Sequence, residues 1–223
     1  MVDFDKLQKE YWNENTNLRP YDHPVVHTFA RQRIAFIKEL IRNSSIHSCL
    51  EVGCGDGFGM YHMQELTYQI FGCDLSLTML KKNPIKKTHL SQANIYDLPY
   101  KDKSIDLVYC WEVLHHIREP IIAVREMKRV SRKIVLIFEP NSFNLPMAIF
   151  GLLGPSEIGL LRFSPWYLRR LLSQVGFSDI LACTVGCFTP NRTPMWLANL
   201  LVKLPFRWPL IGLYNVAIGQ IAD

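Results

Sequence analysis

Four glycines fall at alternate positions in Leu50-Glu51-Val52-Gly53-Cys54-Gly55-Asp56-Gly57-Phe58-Gly59, directly after an apolar run. Glycine reaches positive φ and carries no Cβ, so a strand-to-helix turn of this composition lets a ligand lie against the backbone. Nineteen positions beyond Gly55 stands Asp74, closing a second apolar run. A carboxylate there can accept hydrogen bonds from both hydroxyls of a ribose, which points to a nucleoside ligand. The plainer alternative is that Asp74 serves as the N-cap of a helix over Ser76–Lys82. A dinucleotide fingerprint would place its third glycine at position 58, which is Phe58, and no Gly-Lys-Ser/Thr follows as a phosphate loop requires. A nucleotide-dependent oxidoreductase remains the rival enzyme reading.

These residues need a scaffold that presents strand ends side by side. Apolar runs at His47–Val52, Gln69–Cys73, Thr88–Ala93, Ile105–Cys110 and Lys133–Glu139 read as five strands. Helical patterns fall between or around most of them: Val25–Ile41, Met60–Thr67, Ile121–Val130 after Pro120, and Pro165–Val175 closed by Gly176. A shorter helix is expected to include Phe4–Trp12. Strands and helices alternating at these lengths predict an α/β, Rossmann-like, doubly wound and mostly parallel sheet with helices on both faces. Ile180–Phe188 and Leu213–Ile221 lack a well-patterned crossover helix and read as an antiparallel pair at one edge, bringing the sheet to seven strands. Ligands of such sheets bind beyond the carboxyl ends of the strands. The chain is expected to form one domain over 1–223: N-terminal helices to 43, a binding core over 44–140, a lid over 141–163, and a C-terminal helix with edge strands over 164–223.

A third segment, Ala93-Asn94-Ile95-Tyr96-Asp97-Leu98-Pro99 through Ile105-Asp106-Leu107-Val108, completes a pattern with the glycine loop and Asp74. Together they resemble the class I S-adenosylmethionine-dependent methyltransferases, specifically the ubiquinone/menaquinone-biosynthesis-like (type 11) branch. The matching blocks run over about residues 47–139, with Gly176-Phe177 familial in character further on. The resemblance implies that S-adenosylmethionine is the cofactor. It implies that Glu51, Gly53 and Gly55 line its methionine and ribose portion, that Asp74 binds the ribose hydroxyls, and that Leu75 lies against the adenine. Asn94 stands where the family often has Asp, facing the adenine amino group, and the Ile95 backbone would meet a ring nitrogen; Asn keeps the acceptor oxygen. Trp111 is placed to cover the cofactor near its sulfonium, with a core or lid role as the alternative. No catalytic residue is assigned. If the acceptor needs a base, His115 and Glu112 are candidates by position, while one histidine of the pair His115-His116 is expected to be structural.

The 223 residues, 48% hydrophobic and 20% charged, suffice for one sizeable core. The net charge of +5 is dispersed, and the cluster Lys81, Lys82, Lys86, Lys87 has no aromatic interleaving, so a solvated loop is expected and no nucleic-acid partner. Six cysteines without paired CxxC spacing read as buried, reduced thiols of a cytoplasmic protein. Neither HExxH nor paired CxxC spacing is present, and no metal is assigned. No secretory signal or membrane span is read. Two apolar regions fall outside the motif blocks: Asn141–Phe163, expected to fold over the strand ends as a lid lining the acceptor pocket, and Met195–Leu213, with Trp196 and Trp208 beside Lys203 and Arg207. They suit a small, apolar or lipid-like acceptor and peripheral membrane contact, or else core or homodimer packing. A methyltransferase-like partner protein without catalysis is the remaining alternative.

Overall fold

The computed structural model describes residues 8, 11, 12, 19–67 and 69–221, so most of the helix expected over Phe4–Trp12 lies outside the described residues. The strands are β1 (Ser48–Val52), β2 (Gln69–Asp74), β3 (Leu90–Gln92), β4 (Ile105–Trp111), β5 (Ser131–Pro140), β6 (Asp179–Val185) and β7 (Tyr214–Gln220). They form one seven-stranded sheet in the order β3-β2-β1-β4-β5-β7-β6. β1 to β5 pair in parallel, and β7 runs antiparallel to both β5 and β6, supplying the antiparallel pairing expected at that side.

Burial on both faces explains why the central strands read as unbroken apolar runs. Every residue of β1 and β4 is buried. One face is covered by α1 (Pro24–Leu40), α2 (Phe58–Met63), α3 (Leu77–Lys82) and α7 (Met195–Leu201), through Phe29, Ile37, Met60, Leu80 and Ala198. The other is covered by α4 (Pro120–Val130) and α6 (Pro165–Gln174), through Val124, Met127, Leu168 and Leu172. Proline at the first turn of α1, α4 and α6 costs no hydrogen bond there. The end of α6 follows from Gly176 at φ 87°, which lets its own N–H reach Ser173 O and the Phe177 N–H reach Leu172 O.

Two local expectations shift for identifiable reasons. β3 is shorter than Thr88–Ala93 because Lys87–His89 take a 3₁₀ turn. Lys87 is not a freely solvated side chain: its ammonium donates to Leu80 O (2.7 Å) and Asn83 O (2.8 Å), satisfying carbonyls at the end of α3. At the opposite end of the sheet from the glycine loop, the buried Asp106 accepts from the backbone N–H of His47 (2.9 Å) and pairs with Arg132 (2.8 Å), tying β1, β4 and β5 together.

The strand order reverses between β1 and β4, which are neighbours in the sheet but feed crossovers in opposite directions. The loops after them diverge and leave a crevice above the strand ends.

Candidate functional site

The crevice holds a cavity of about 320 Å³, within the range of small-molecule sites. All eight residues singled out from the sequence, Glu51, Gly53, Gly55, Asp74, Leu75, Asn94, Ile95 and Trp111, line it. They arrive from four strand ends, so the sheet alone brings them together.

The glycine loop is anchored to β2 by Gly53 N–H and Cys54 N–H, both donating to Cys73 O (2.8 and 3.0 Å). Its glycines do two different jobs. At Gly59 a Cβ would collide with the Glu51 carboxylate, so glycine there makes room inside the protein. At Gly55 (φ 49°) a Cβ would meet only the Met79 terminal methyl at 3.5 Å, which leaves an open cradle on the cavity side. Beneath the loop, Glu51 is buried and accepts from Tyr109 Oη (3.0 Å) and from the Met60 backbone N–H. Burial drives its carboxyl well above the usual range, against those two donors.

Asp74 closes β2 with both oxygens engaged: Oδ2 accepts from Gly55 N–H (2.8 Å) and Oδ1 from Ser76 N–H (2.7 Å). Each oxygen keeps a further lone pair for a ligand hydroxyl. The N-cap of α3 is Ser76, whose hydroxyl accepts from Met79 N–H (3.2 Å), so capping does not account for Asp74. Burial raises the Asp74 carboxyl, while backbone donors from Ser76, Gly55 and Leu75 oppose the rise. Leu75, next along, is 47% exposed, an apolar face for a flat ring. Asn94 is exposed at the cavity rim, where its Oδ1 accepts from Tyr96 N–H (3.0 Å).

Trp111 is buried at the end of β4 and stands 5.3 Å from Phe58 and 5.9 Å from Phe138, centroid to centroid. It shares a buried cation with its neighbours. Arg33 of α1 is wholly buried, with its guanidinium 4.3 Å from the Phe29 ring, 4.4 Å from Tyr214, 4.8 Å from Phe138 and 5.2 Å from Trp111. Its carboxylate partner is Glu112, at 2.5 Å. Glu112 adopts φ 59°, an uncommon conformation for a side-chain-bearing residue, right at the β4 strand end. Both positional candidates for a base are therefore engaged. Glu112 neutralises Arg33. His115 is buried between Glu139 (2.6 Å) and Glu157 (3.3 Å). Burial alone would lower the His115 pKa, but the two carboxylates overcome it and push the value up to about 9, so both of its ring nitrogens are held by carboxylates and neither is free to act as a base.

Sequence reasoning missed the remaining wall. Gln8, Trp12, Arg19, Val26, His116, Pro190 and Asn191 also line the cavity. Arg19 is anchored to the loop before α7, donating to Pro190 O (2.8 Å) and Thr193 O (2.7 Å). The expectation of a lid over Asn141–Phe163 that lines the pocket is overturned: no described residue of that segment lines the cavity. Instead α5 (Leu145–Leu153) turns Leu145, Leu152 and Leu153 outward, Leu153 being 79% exposed. Gln8, Trp12 and Arg19 line the cavity instead. Trp208 is half-buried, whereas Trp196 is 70% exposed.

A methyltransferase-domain family model matches residues 50–137, the span from the glycine loop through β5. A Mycobacterium tuberculosis protein named as a probable S-adenosylmethionine-dependent methyltransferase is 26% identical over 159 residues, covering 70% of this chain and 57% of its own. The chain thus spans little more than half the length of that relative. The ubiquinone biosynthesis O-methyltransferase of Nitrosomonas europaea is 25% identical over 174 residues, covering 73% of this chain and 69% of its own. In fold, the magnesium protoporphyrin IX methyltransferase of Synechocystis, solved with bound S-adenosylhomocysteine, superposes with a TM-score of 0.63 at 13% identity, over 99% of this chain and 100% of its own. A mostly parallel sheet with a reversed order, a glycine loop and an acidic β2 terminus define a Rossmann-like protein. With these matches, the chain carries a methyltransferase domain over residues 50–137 and is similar to S-adenosylmethionine-dependent methyltransferases.

Proposed function

We propose that this chain transfers the methyl group of S-adenosylmethionine to a small, apolar or lipid-like acceptor. The observation that carries the proposal is the convergence of all eight motif residues on one cavity whose remaining lining sets Trp12, Val26 and Phe58 beside Gln8, Arg19, His116 and Asn191. The residues fit the cofactor: Asp74 retains acceptor capacity for a ribose diol, Gly55 leaves a cradle beside it, and Leu75 offers an apolar face to the adenine. Asn94 and the Ile95 backbone would then meet the adenine edge and Glu51 and Gly53 the methionine portion, and all four line the cavity.

When bound, S-adenosylmethionine supplies a methyl carbon already activated by its sulfonium. What remains for the chain is to hold an acceptor in line with that carbon and to exclude water. Trp111 and Phe58 form an aromatic wall at the switch point, and Arg19 on the cavity wall is tied to Pro190 O and Thr193 O. Because Glu112 and His115 are both committed to ion pairs, alignment and desolvation carry the reaction, which suits an acidic hydroxyl or carbon acid.

The acceptor class is supported by two surfaces. Among the described residues no helix is long and apolar enough to cross a membrane. Yet Leu145, Leu152 and Leu153 on α5, and Trp196 and Leu200 on α7, are exposed, with Arg192, Lys203 and Arg207 exposed nearby in sequence to α7. Apolar residues interleaved with cations suit the surface of an anionic bilayer, from which a lipid-like acceptor would be drawn. The name of the Nitrosomonas relative, a ubiquinone biosynthesis enzyme, agrees with a quinone-like acceptor.

The test is methyl transfer from labelled S-adenosylmethionine to a panel of polyprenylated phenols and soluble phenols, with flotation on anionic liposomes. Transfer to the prenylated members, with flotation lost in Trp196→Ser/Leu153→Ser, is expected. Transfer to soluble phenols alone, or recovery of folded protein entirely off the liposomes at low salt, would overturn the lipid-like acceptor. A thermal shift with NAD and none with S-adenosylhomocysteine would overturn the cofactor.

A further inference from the structure

Beside the cavity, outside the nucleoside-binding loops, lies a cluster that methyl transfer does not use. We propose that His115, His116 and Glu157 form a binding site for a divalent transition-metal ion of the zinc class, joining the turn after β4 to the segment between α5 and α6. One nitrogen from each ring and one Glu157 oxygen lie within 4.8 Å of one another. Two imidazoles and a carboxylate are a donor set that suits zinc-like ions. A tetrahedral sphere with bonds near 2 Å needs its donors about 3.4 Å apart, so modest side-chain rotation closes the site.

Three features mark this as more than a chance grouping. The first is orientation. Glu139, wholly buried, accepts backbone N–H groups from Val113 (2.9 Å) and Leu114 (2.6 Å) and holds His115 Nδ1 at 2.6 Å. A carboxylate on the far nitrogen is the arrangement that fixes metal-ligating histidines, and a bound ion would displace the proton now shared between the other nitrogen and Glu157. That other nitrogen, Nε2, faces Glu157 Oε2 at 3.3 Å.

The second is an orphan. His116 Nδ1 is buried and has no hydrogen-bond partner, a costly state that a ligated ion would relieve. The third is ring placement. Adjacent residues on the 3₁₀ turn Leu114–His116 would ordinarily splay apart, yet the two rings face each other with centroids 3.8 Å apart at 42°.

No sequence motif announces the site, because Glu157 comes from a different element and His115 and His116 are adjacent rather than spaced along a helix. The expectation of no metal rested on the absence of HExxH and CxxC spacing alone. Coordination would also order the cavity wall, since Trp12 packs edge-on against His116 (5.1 Å) and Gln8 donates to Ser156 O (2.7 Å) beside Glu157. Three protein donors leave a fourth position for water or another oxygen. The site stands independently of which acceptor is methylated.

The experiment is a Co²⁺ titration of the chelator-stripped full chain, followed by visible absorption, with Zn²⁺ as competitor. A 1:1 complex with tetrahedral d–d bands, displaced by Zn²⁺, is expected. Glu157→Gln should weaken Co²⁺ by about tenfold or more, and His116→Ala similarly. Zn²⁺ should raise the melting temperature of the wild type and not of Glu157→Gln. If His116→Ala does not fold, Glu157→Gln decides alone. No saturable binding, or equal binding by wild type and Glu157→Gln, overturns the site; sulfur-to-cobalt charge-transfer bands would relocate the ion to cysteine and overturn it equally.

Discussion

The two walls of the cavity are built on different principles. On the nucleoside side, the polar contacts run largely through main chain: Gly53 and Cys54 N–H to Cys73 O, Gly55 and Ser76 N–H to the Asp74 carboxylate. On the opposite side the wall consists of side chains drawn from distant segments, such as Trp12 on His116 and Arg19 on the loop before α7. A main-chain wall depends on a few residues with special backbone or charge requirements and fits one ligand shape. A side-chain wall can be respecified by substitution without disturbing the sheet, which suits a surface that sets acceptor choice.

The contrast breaks most directly at Asp74. Replacing it with Ala removes the acceptor of the Gly55 and Ser76 amides and, on the proposed reading, of the ribose diol, interactions with a charged partner worth about 1.5–3 kcal/mol each. S-adenosylhomocysteine affinity, measured by calorimetry, is expected to fall by roughly 100-fold or more. A folded Asp74→Ala variant that binds as the wild type does would remove the carboxylate from the site.

The paired glycines sharpen the same point. Gly59→Ala forces a methyl group against the buried Glu51 carboxylate and is expected to cost about 2–4 kcal/mol in denaturant unfolding. Gly55→Ala meets no such obstacle and should cost only the positive φ, about 1–2 kcal/mol, while still abolishing cofactor binding. Equal stability losses with binding retained in Gly55→Ala would mean that both glycines serve packing alone.

Asp106, at the other end of the sheet, supplies the control. Burial alone would raise its carboxyl, but the His47 and Ser48 N–H groups with Lys133 and Arg132 hold it below the ordinary aspartate value. A depressed native pKa stabilises the fold above the unfolded aspartate range and loses that contribution as pH falls through the native value. Asp106→Asn should therefore cost about 1–3 kcal/mol at neutral pH and leave cofactor affinity unchanged. The stability gap from wild type should close in acid; a gap that widens there would refute the linkage.

Legibility followed the same division. Strands β1, β2 and β4 were readable to within a residue or two because burial on both faces imposes continuous apolar runs, and the nucleoside wall follows because its residues sit at strand ends. The side-chain contacts around the opposite wall were not. Arg33 falls on the stripe of α1 that also presents Phe29, Ile34 and Ile37, but nothing in helical spacing reveals that four rings, three of them from the sheet, enclose its guanidinium. The segment 141–163 is apolar enough to suggest a lid, yet apolarity cannot tell an inward face from an outward one. The His115–Glu139–Glu157 contacts join a post-β4 turn, a strand end and a loop, and have no local signature.

Asn94 sits at the boundary between the two walls and should show the smallest effect. Its side-chain oxygen already accepts from Tyr96 N–H, shaping the short turn closed by the Asn94–Asp97 bridge, and has a second lone pair for an adenine amino group. Aspartate offers the same acceptor in the same place, so Asn94→Asp should bind S-adenosylhomocysteine within about threefold of wild type, a difference under 1 kcal/mol. Leucine has no acceptor and releases the turn, so Asn94→Leu should lose roughly tenfold, about the worth of one ordinary hydrogen bond. Because Asn94 is exposed, water can replace part of what leucine removes, which is why the loss stays well short of that at Asp74. Equal affinity across all three variants would assign Asn94 to the turn and leave adenine contacts to Leu75 and the Ile95 backbone; a loss in Asn94→Asp as large as in Asn94→Leu would show that the amide nitrogen, not the oxygen, faces the ligand.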